Sequence, residues 1–212
     1  MPTIQVATTN PGKLAEFSLG PRLWSSPGER FEDWIIGGLP GVANLPPCSE
    51  DGDSFAANAH KKAFHYSQFV TGLVLGDDSG LEVAALGGAP GIHSARYAGP
   101  AATDAQNNAK LLQEMNEVPP QMRTARFVCE LVLAREGKLL ARFGGVAEGF
   151  ILGAPRGHGG FGYDPLFLDP ITGKTFAELP LEEKMNRSHR GKALRGLMEW
   201  LATGPPSLGG SA

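Results

Sequence analysis

An α/β fold is predicted by three features of this chain. Residues 3–9, TIQVATT, read as a strand and turn directly into a short helix, Gly12 to Leu19, expected to halt before Pro21. Two apolar runs, Arg126–Arg135 and Leu139–Glu148, are separated only by Glu136-Gly137-Lys138, the mark of a β-hairpin. Apolar residues recur at helical spacing over roughly 54–70, 103–116 and 188–203.

Taken in order, the first strand and helix meet at Thr8-Thr9-Asn10-Pro11-Gly12-Lys13. A strand-to-helix turn exposes backbone N–H groups and the positive end of a helix, so it suits an anion; an ordinary turn fits the spacing equally well. It lacks the first glycine and the Ser/Thr of a Walker A loop. Residues 20–47 are rich in Gly and Pro and read as loop. Glu50 to Ser54 then precede a helix with Phe55, Ala59 and Ala63 on its buried stripe. Asn58 and Lys62 lie one turn apart on another face. Taken alone, Lys62 reads as a surface lysine and Glu50 as an acidic residue favouring the helix dipole.

Leu73-Val74-Leu75 reads as the end of a buried strand delivering Asp77, Asp78, Ser79 and Gly80. Neighbouring strand side chains point to opposite faces, so only one of the two aspartates can aim into a given site. Paired carboxylates are unfavourable unless a cation or proton relieves them; a solvated turn is the alternative. Gly87 to Gly91 form a tight small-residue loop. Thr103 can cap the next helix, with Leu111, Leu112 and Met115 inward. The strand at 126–135 is apolar on both faces, as expected of a covered, central strand.

Phe161 and Tyr163, set among glycines in GHGGFGYDP, offer rings for stacking on a base or for plugging a core. Ser188 caps the final helix. His189 and Arg190 in its first turn place positive charge against the helix dipole, which a nearby anion would relieve, and Lys184 adds to that cluster.

With 212 residues, 42% of them hydrophobic and 19% charged, the chain is sized for one globular domain. A net charge of −3 argues against a nucleic-acid binder that depends on neutralising phosphates. Cys48 and Cys129 lack metal-ligand spacing and read as reduced thiols. No run is long enough to span a bilayer and no signal-peptide pattern precedes the first strand, so the cytoplasm is expected.

Four segments in order, Ala7–Phe17, Glu50–Ala63, Asp77–Gly99 and Gly159–Phe167 with Glu182–Leu194, resemble the inosine triphosphate pyrophosphatase family. The irregular stretch at 20–40 departs from that pattern. The resemblance implies an elongated mixed β-sheet flanked by helices, in two lobes over residues 1–203 with an active cleft between them. A flexible tail at 204–212 is expected beyond it. It also implies hydrolysis of dITP, ITP and XTP to monophosphate and pyrophosphate, and a homodimer. Carried over by position, Thr8, Thr9, Asn10, Pro11, Gly12 and Lys13 hold phosphates. Glu50 and Asp78 bind Mg²⁺, Asp78 accepts the proton, and Lys62 faces the phosphates. Ser79 contacts substrate. Phe161, Gly162, Tyr163 and Asp164 line the base and sugar, with Lys184, His189 and Arg190 completing the pocket. A purine nucleoside triphosphate is the expected partner, with neither nucleic acid nor membrane. A silent nucleotide-binding module and a septum-inhibition type of pyrophosphatase are the rival readings; the FGYD and SHR segments favour the purine family.

Donors at the purine 6-position would admit inosine and xanthosine and reject adenosine, whose edge is reversed there. A polar mismatch of this kind can discriminate by about 10⁴–10⁵.

Overall fold

The computed structural model describes residues 2–24 and 34–204. The expected tail therefore lies outside the described residues, except Gly204, as do residues 25–33 of the expected loop.

Seven strands form one mixed sheet in the order β2-β1-β3-β4-β5-β6-β7. They are β1 (Thr3–Val6), β2 (Ile35–Gly38), β3 (Leu73–Val83), β4 (Thr124–Arg135), β5 (Lys138–Ile151), β6 (Phe167–Asp169) and β7 (Lys174–Thr175). The helices are α1 (Pro11–Trp24), α2 (Phe55–Tyr66), α3 (Asp104–Glu114), α4 (Leu181–Arg187) and α5 (His189–Ala202). β1 runs parallel to both β2 and β3, whereas β6 is antiparallel to β5 and β7. β4 and β5 are joined by Glu136 and Gly137, both at positive φ (51° and 71°), the backbone of a two-residue hairpin turn.

The chain divides into two compact units. The first comprises residues 1–78, 129–145 and 190–212; the second comprises 79–128 and 146–189. In the first, Leu73–Asp78 of β3 and Leu131–Ala134 of β4 are buried on both faces, and β1 buries Ile4 and Val6 on one. Gly76 explains how α2 packs so closely. A Cβ there would lie 2.3 Å from the Ala59 carbonyl and 2.6 Å from the Ala63 nitrogen. Only glycine lets this helix lie on the strand.

In the second unit the sheet is covered on one face. Ala125, Phe127, Ala147 and Ile151 are buried, while Thr124, Arg126, Val146 and Glu148 are exposed. Phe127, Phe167 and Phe176 meet at ring-centroid distances of 4.6, 4.8 and 5.9 Å and centre a core with Leu81, Leu111, Met115 and Tyr163. Thr103 and Gln106 form a capping box at the start of α3.

Four expectations need correction. α1 does not halt before Pro21 but runs to Trp24; Glu16, Phe17, Gly20 and Pro21 are all buried, and that packing outweighs the hydrogen bond proline removes. The stretch at 20–47 is not all loop. It includes the end of α1, the strand β2 and a 3₁₀ turn at Val42–Asn44. β2 was hard to see because a four-residue edge strand with one fully buried side chain, Ile36, has almost no pattern. The helix at 54–70 ends at Tyr66. Finally, β3 does not end at Leu75 but continues through Asp77-Asp78-Ser79-Gly80 to Val83, so the two carboxylates lie inside a strand. Among the described residues, no helix is long and apolar enough to cross a membrane.

Candidate active site

In the first unit, β3 presents Asp78 toward α2 and Asp77 toward the opposite face. Ser54 caps α2 by accepting a hydrogen bond from the Ala57 nitrogen (3.3 Å), which fixes where the helix begins. One turn in, Asn58 is buried. Its amide nitrogen donates to Asp78 Oδ2 (3.2 Å), and its oxygen accepts from Gly52 N–H (2.8 Å). One turn further, Lys62 Nζ lies 2.8 Å from Glu50 Oε2 and 3.7 Å from Asp78 Oδ1, and donates to the Asp77 carbonyl (3.1 Å). A helical i, i+4 pair thus holds both the loop carrying Glu50 and the carboxylate of Asp78.

Burial pushes the Asp78 carboxyl above the usual aspartate range, against the pull of Lys62, Lys13 and the Asn58 hydrogen bond. Burial alone would lower the Lys62 ammonium, but Glu50 and Asp78 outweigh it and hold that group charged.

On the other face of β3, Asp77 is 1% exposed. The Lys13 ammonium donates to Oδ2, and Arg190 Nε lies 3.5 Å from Oδ1. Arg190, itself 1% exposed, also donates to the Glu16 carboxylate. Cys129 Sγ donates to Asp77 Oδ1 (3.3 Å). Burial would raise the Asp77 carboxyl, but Lys13 and Arg190 reverse that and hold it well below the usual range. Burial and the adjacent Asp77 push the Cys129 thiol up, so it serves as a neutral donor.

At the start of α1, Asn10 Oδ1 accepts from Lys13 N–H (3.0 Å) and Thr8 Oγ1 accepts from Asn10 N–H (3.1 Å). This local capping leaves Thr9, Asn10 and Pro11 exposed at the positive end of a 14-residue helix.

The second unit gathers the late motif. Lys184 and Asp164 form an ion pair in which each residue is 2% exposed. Asp164 Oδ2 also accepts from Phe161 N–H (2.9 Å). Gly160 permits this turn: it has φ +69°, and a Cβ would fall 2.0 Å from Asp164 Oδ2. The Lys184 ammonium sits 4.9 Å from the centroid of the half-exposed Phe161 ring. Gly162 is held from both sides, its N–H donating to Asp104 Oδ2 (2.7 Å) and its carbonyl accepting from Asn108 Nδ2 (2.9 Å). Tyr163 is buried, its hydroxyl donating to the Ser94 carbonyl (2.8 Å). The His189 ring stacks on Phe127 at 4.7 Å and 11°. Ser79 lies half-buried on β3.

Thr8 to Lys13, Glu50, Lys62, Asp78 and Arg190 therefore belong to the first unit. Ser79, Phe161 to Asp164, Lys184 and His189 belong to the second. Of the two aromatics read as stacking rings or core plugs, Tyr163 is in the core and Phe161 is the more open ring. The anion expected near Arg190 is present within the protein, as Glu16 and Asp77.

Sequence reasoning did not assign roles to Asp77, Glu16, Asn58, Cys129, Asp104 or Asn108. Asn58 was within reach, since it shares a helix face with Lys62. Glu16 follows Lys13 at i+3 on α1, but nothing local tells that its partner lies on α5.

No cluster of three or more His, Cys, Asp or Glu side chains able to hold a metal ion occurs among the described residues. Glu50 and Asp78 are nonetheless hard carboxylate donors placed on either side of one ammonium group. Such a pair suits Mg²⁺, which keeps much of its water and takes further oxygens from phosphates.

A model of the Ham1 family matches residues 4–200. A "dITP/XTP pyrophosphatase" from Thermus thermophilus is 48% identical over 204 residues, covering 96% of this chain and 93% of that protein. One of the same name from Geobacillus kaustophilus is 47% identical, covering 94% of each. The Ham1 protein of Staphylococcus aureus superposes with a TM-score of 0.80 at 34% identity, covering 96% of this chain and all of that one. A HAM1 protein from Coxiella burnetii gives 0.80 at 39% over the same shares.

Proposed function

Since the chain belongs to the Ham1 family, we propose that it is a Mg²⁺-dependent pyrophosphohydrolase that converts dITP, ITP and XTP to the monophosphate and pyrophosphate. The observation that carries this reading is the charge arrangement around Asp77 and Asp78. Lys13, Lys62 and Arg190 meet Glu16, Glu50, Asp77 and Asp78: three cations against four carboxylates. Glu50, whose side chain is 38% exposed, and the buried Asp78 share one lysine, and these are the residues that would hold Mg²⁺. When bound with a triphosphate, the ion supplies neutralisation of phosphate charge.

The chain's own residues then divide the work. Asp78, its proton affinity raised by burial, takes a proton from the water whose oxygen bonds to the α-phosphorus. The bond from that phosphorus to the bridging oxygen breaks, and pyrophosphate leaves with the bridging oxygen. Lys13, Lys62 and the exposed start of α1, from Thr8 through Gly12, compensate the charge that grows on it. Ser79 contacts the nucleotide. On the base side, Phe161 offers its ring, with Gly162, Tyr163 and Asp164 fixing the loop beneath. Lys184 and His189 are the donors and cations of that side, while Arg190, next to His189 in sequence, is buried against Glu16 and Asp77 and braces the first unit. No covalent enzyme intermediate is needed. The enzyme acts as a homodimer in the cytoplasm, where it clears non-standard purines from the nucleotide pool.

The test is a chromatographic panel of ITP, XTP, dITP, GTP, ATP and dUTP with Mg²⁺, scoring pyrophosphate against orthophosphate. Pyrophosphate from the first three, with GTP, ATP and dUTP turned over at least tenfold more slowly, is expected. Orthophosphate release, preference for dUTP, or no release would each overturn the assignment.

A further inference from the structure

We propose that Asp77 is a positioning residue for this hydrolysis: its carboxylate sets Lys13 and Arg190 in place, and it is not a metal ligand. The proposal rests on the pyrophosphohydrolase reading for what Lys13 does.

The reasoning starts from two helix N-termini. Lys13 is the third residue of α1 and Arg190 the second residue of α5. Both cations therefore sit in the first turn, where the backbone dipole repels positive charge. Left to itself, a lysine on a flexible four-carbon stem would swing away from that position. An anion must hold it there. Asp77 supplies it for both helices at once, with Lys13 on Oδ2 and Arg190 and Cys129 on Oδ1. Glu16 secures Arg190 from the other side. The backbone carbonyl of the same residue accepts from Lys62, so all three cations of the site converge on residue 77.

Strand alternation separates this duty from that of Asp78. Gly76 and Asp78 face α2, which carries Lys62, the partner of Glu50 from the preceding loop, whereas Asp77 faces α1 and α5. Its side chain has no exposure, and both carboxylate oxygens already accept from the protein. Mg²⁺ with its retained waters takes open oxygen donors. The side chains of Glu50 (38% exposed) and Asp78 (10%) reach solvent where such an ion could meet them; that of Asp77 (0%) does not.

The decisive variant is Asp77→Asn, nearly isosteric but uncharged. With ITP, kcat should fall about 100-fold, the scale of a 1 Å misplacement of a catalytic group. KM should change less than threefold, and the Mg²⁺ concentration for half-activation less than twofold. In a Lys13→Met background the same substitution should cost at least about tenfold less in kcat than it does alone, because Lys13 is gone and only the hold on Arg190 is left to lose. An unchanged kcat in Asp77→Asn, a tenfold rise in the Mg²⁺ midpoint, or losses that multiply in the double variant would each overturn the proposal.

Should Asp77→Asn fail to fold, ¹⁵N-lysine spectra of the wild-type chain decide instead. The Lys13 ammonium, assigned by its absence in Lys13→Met, should show slowly exchanging protons at low temperature, as a buried ion-paired group does. Protons exchanging as fast as those of surface lysines would overturn the proposal. Failure of wild-type ITP turnover would instead count against the pyrophosphohydrolase reading, and the spectra would still report on the Asp77–Lys13 pairing.

Discussion

The two units solve the problem of buried charge differently. In the second, the described ion pairs include the buried Lys184 with Asp164, the partly buried Arg187 with Asp169, and the more exposed Arg126 with Glu82 and Arg156 with Glu178. Each pair spans neighbouring elements, and the sheet beneath leaves one face to water. In the first, β3 and β4 are covered on both sides where they carry the site, and the charges there form a shared cluster in which Lys62 serves two carboxylates and Asp77 serves two cations. Balanced pairs hold loops in shape. A shared cluster lets one lysine hold two carboxylates side by side, and in the proposed reading this is where phosphates and a cation are handled. In the same reading the second unit offers an uncharged base a ring, a fixed glycine turn and a lysine already paired with Asp164.

The sharpest way to break this comparison is Asp78→Asn. Asparagine keeps the shape and can still accept from Asn58, so folding should change little. Turnover of ITP should fall about 10³-fold or more, within the range for loss of a general base. Nucleotide binding by calorimetry should largely survive. Near wild-type rates would remove Asp78 from the mechanism and with it the contrast between the units.

A smaller and opposite signature is expected from Lys184→Met in the second unit. Removing one partner of a buried pair leaves Asp164 uncompensated, at a cost of about 3 kcal/mol or more. For a chain of this size that lowers the melting temperature by roughly 10 °C. The KM for ITP should rise while kcat measured below the melting range stays within about threefold. Adding Asp164→Asn should recover part of the lost stability, since the stranded charge is then gone. A kcat loss as large as that of Asp78→Asn would mean that the two units do not divide their roles in this way.

How much of this was legible depends on how local each signal is. The capped helix starting after Thr103, the hairpin (its connection one residue shorter than the expected Glu136-Gly137-Lys138) and the buried stripe Phe55, Ala59, Ala63 rest on neighbours in sequence, and the structure has all three. Asp77 and Asp78 were recognised as a pair needing relief, and alternation gave them opposite faces. What could not be read was which partner each would meet. Glu16 and Arg190 are 174 positions apart, and Asp77 and Cys129 are 52 apart. No periodicity encodes such contacts, because they depend on which helix covers which face of the sheet. The course of α1 past Pro21 failed for the same reason: a local rule about proline lost to burial of Phe17, Gly20 and Pro21.

The weakest expected effect tests the balanced style of the second unit at its edge. Asp169 lies at the β6–β7 turn, where its carboxylate accepts from the Arg187 guanidinium, from Thr172 Oγ1 (2.9 Å) and N–H (3.3 Å), and from Ile171 N–H (3.4 Å). Burial acts to raise this carboxyl, but the hydrogen bonds from Arg187 and Thr172 outweigh it and hold it below the usual aspartate range. A carboxyl depressed on folding contributes stability that is fully present above its unfolded pKa, about 3.9, and is lost as pH falls through the folded value. Asp169→Asn should therefore lower stability by about 1 kcal/mol at pH 7, the scale of one hydrogen bond to a charged group discounted for the partly exposed arginine. In urea titrations the gap between wild type and variant should hold from pH 8 to 5, narrow below about pH 4, and leave ITP turnover at pH 7 unchanged. A gap that persists undiminished at pH 2.5 would mean that shape, rather than ionisation, secures the turn, and one-to-one charge pairing would no longer describe this corner of the second unit.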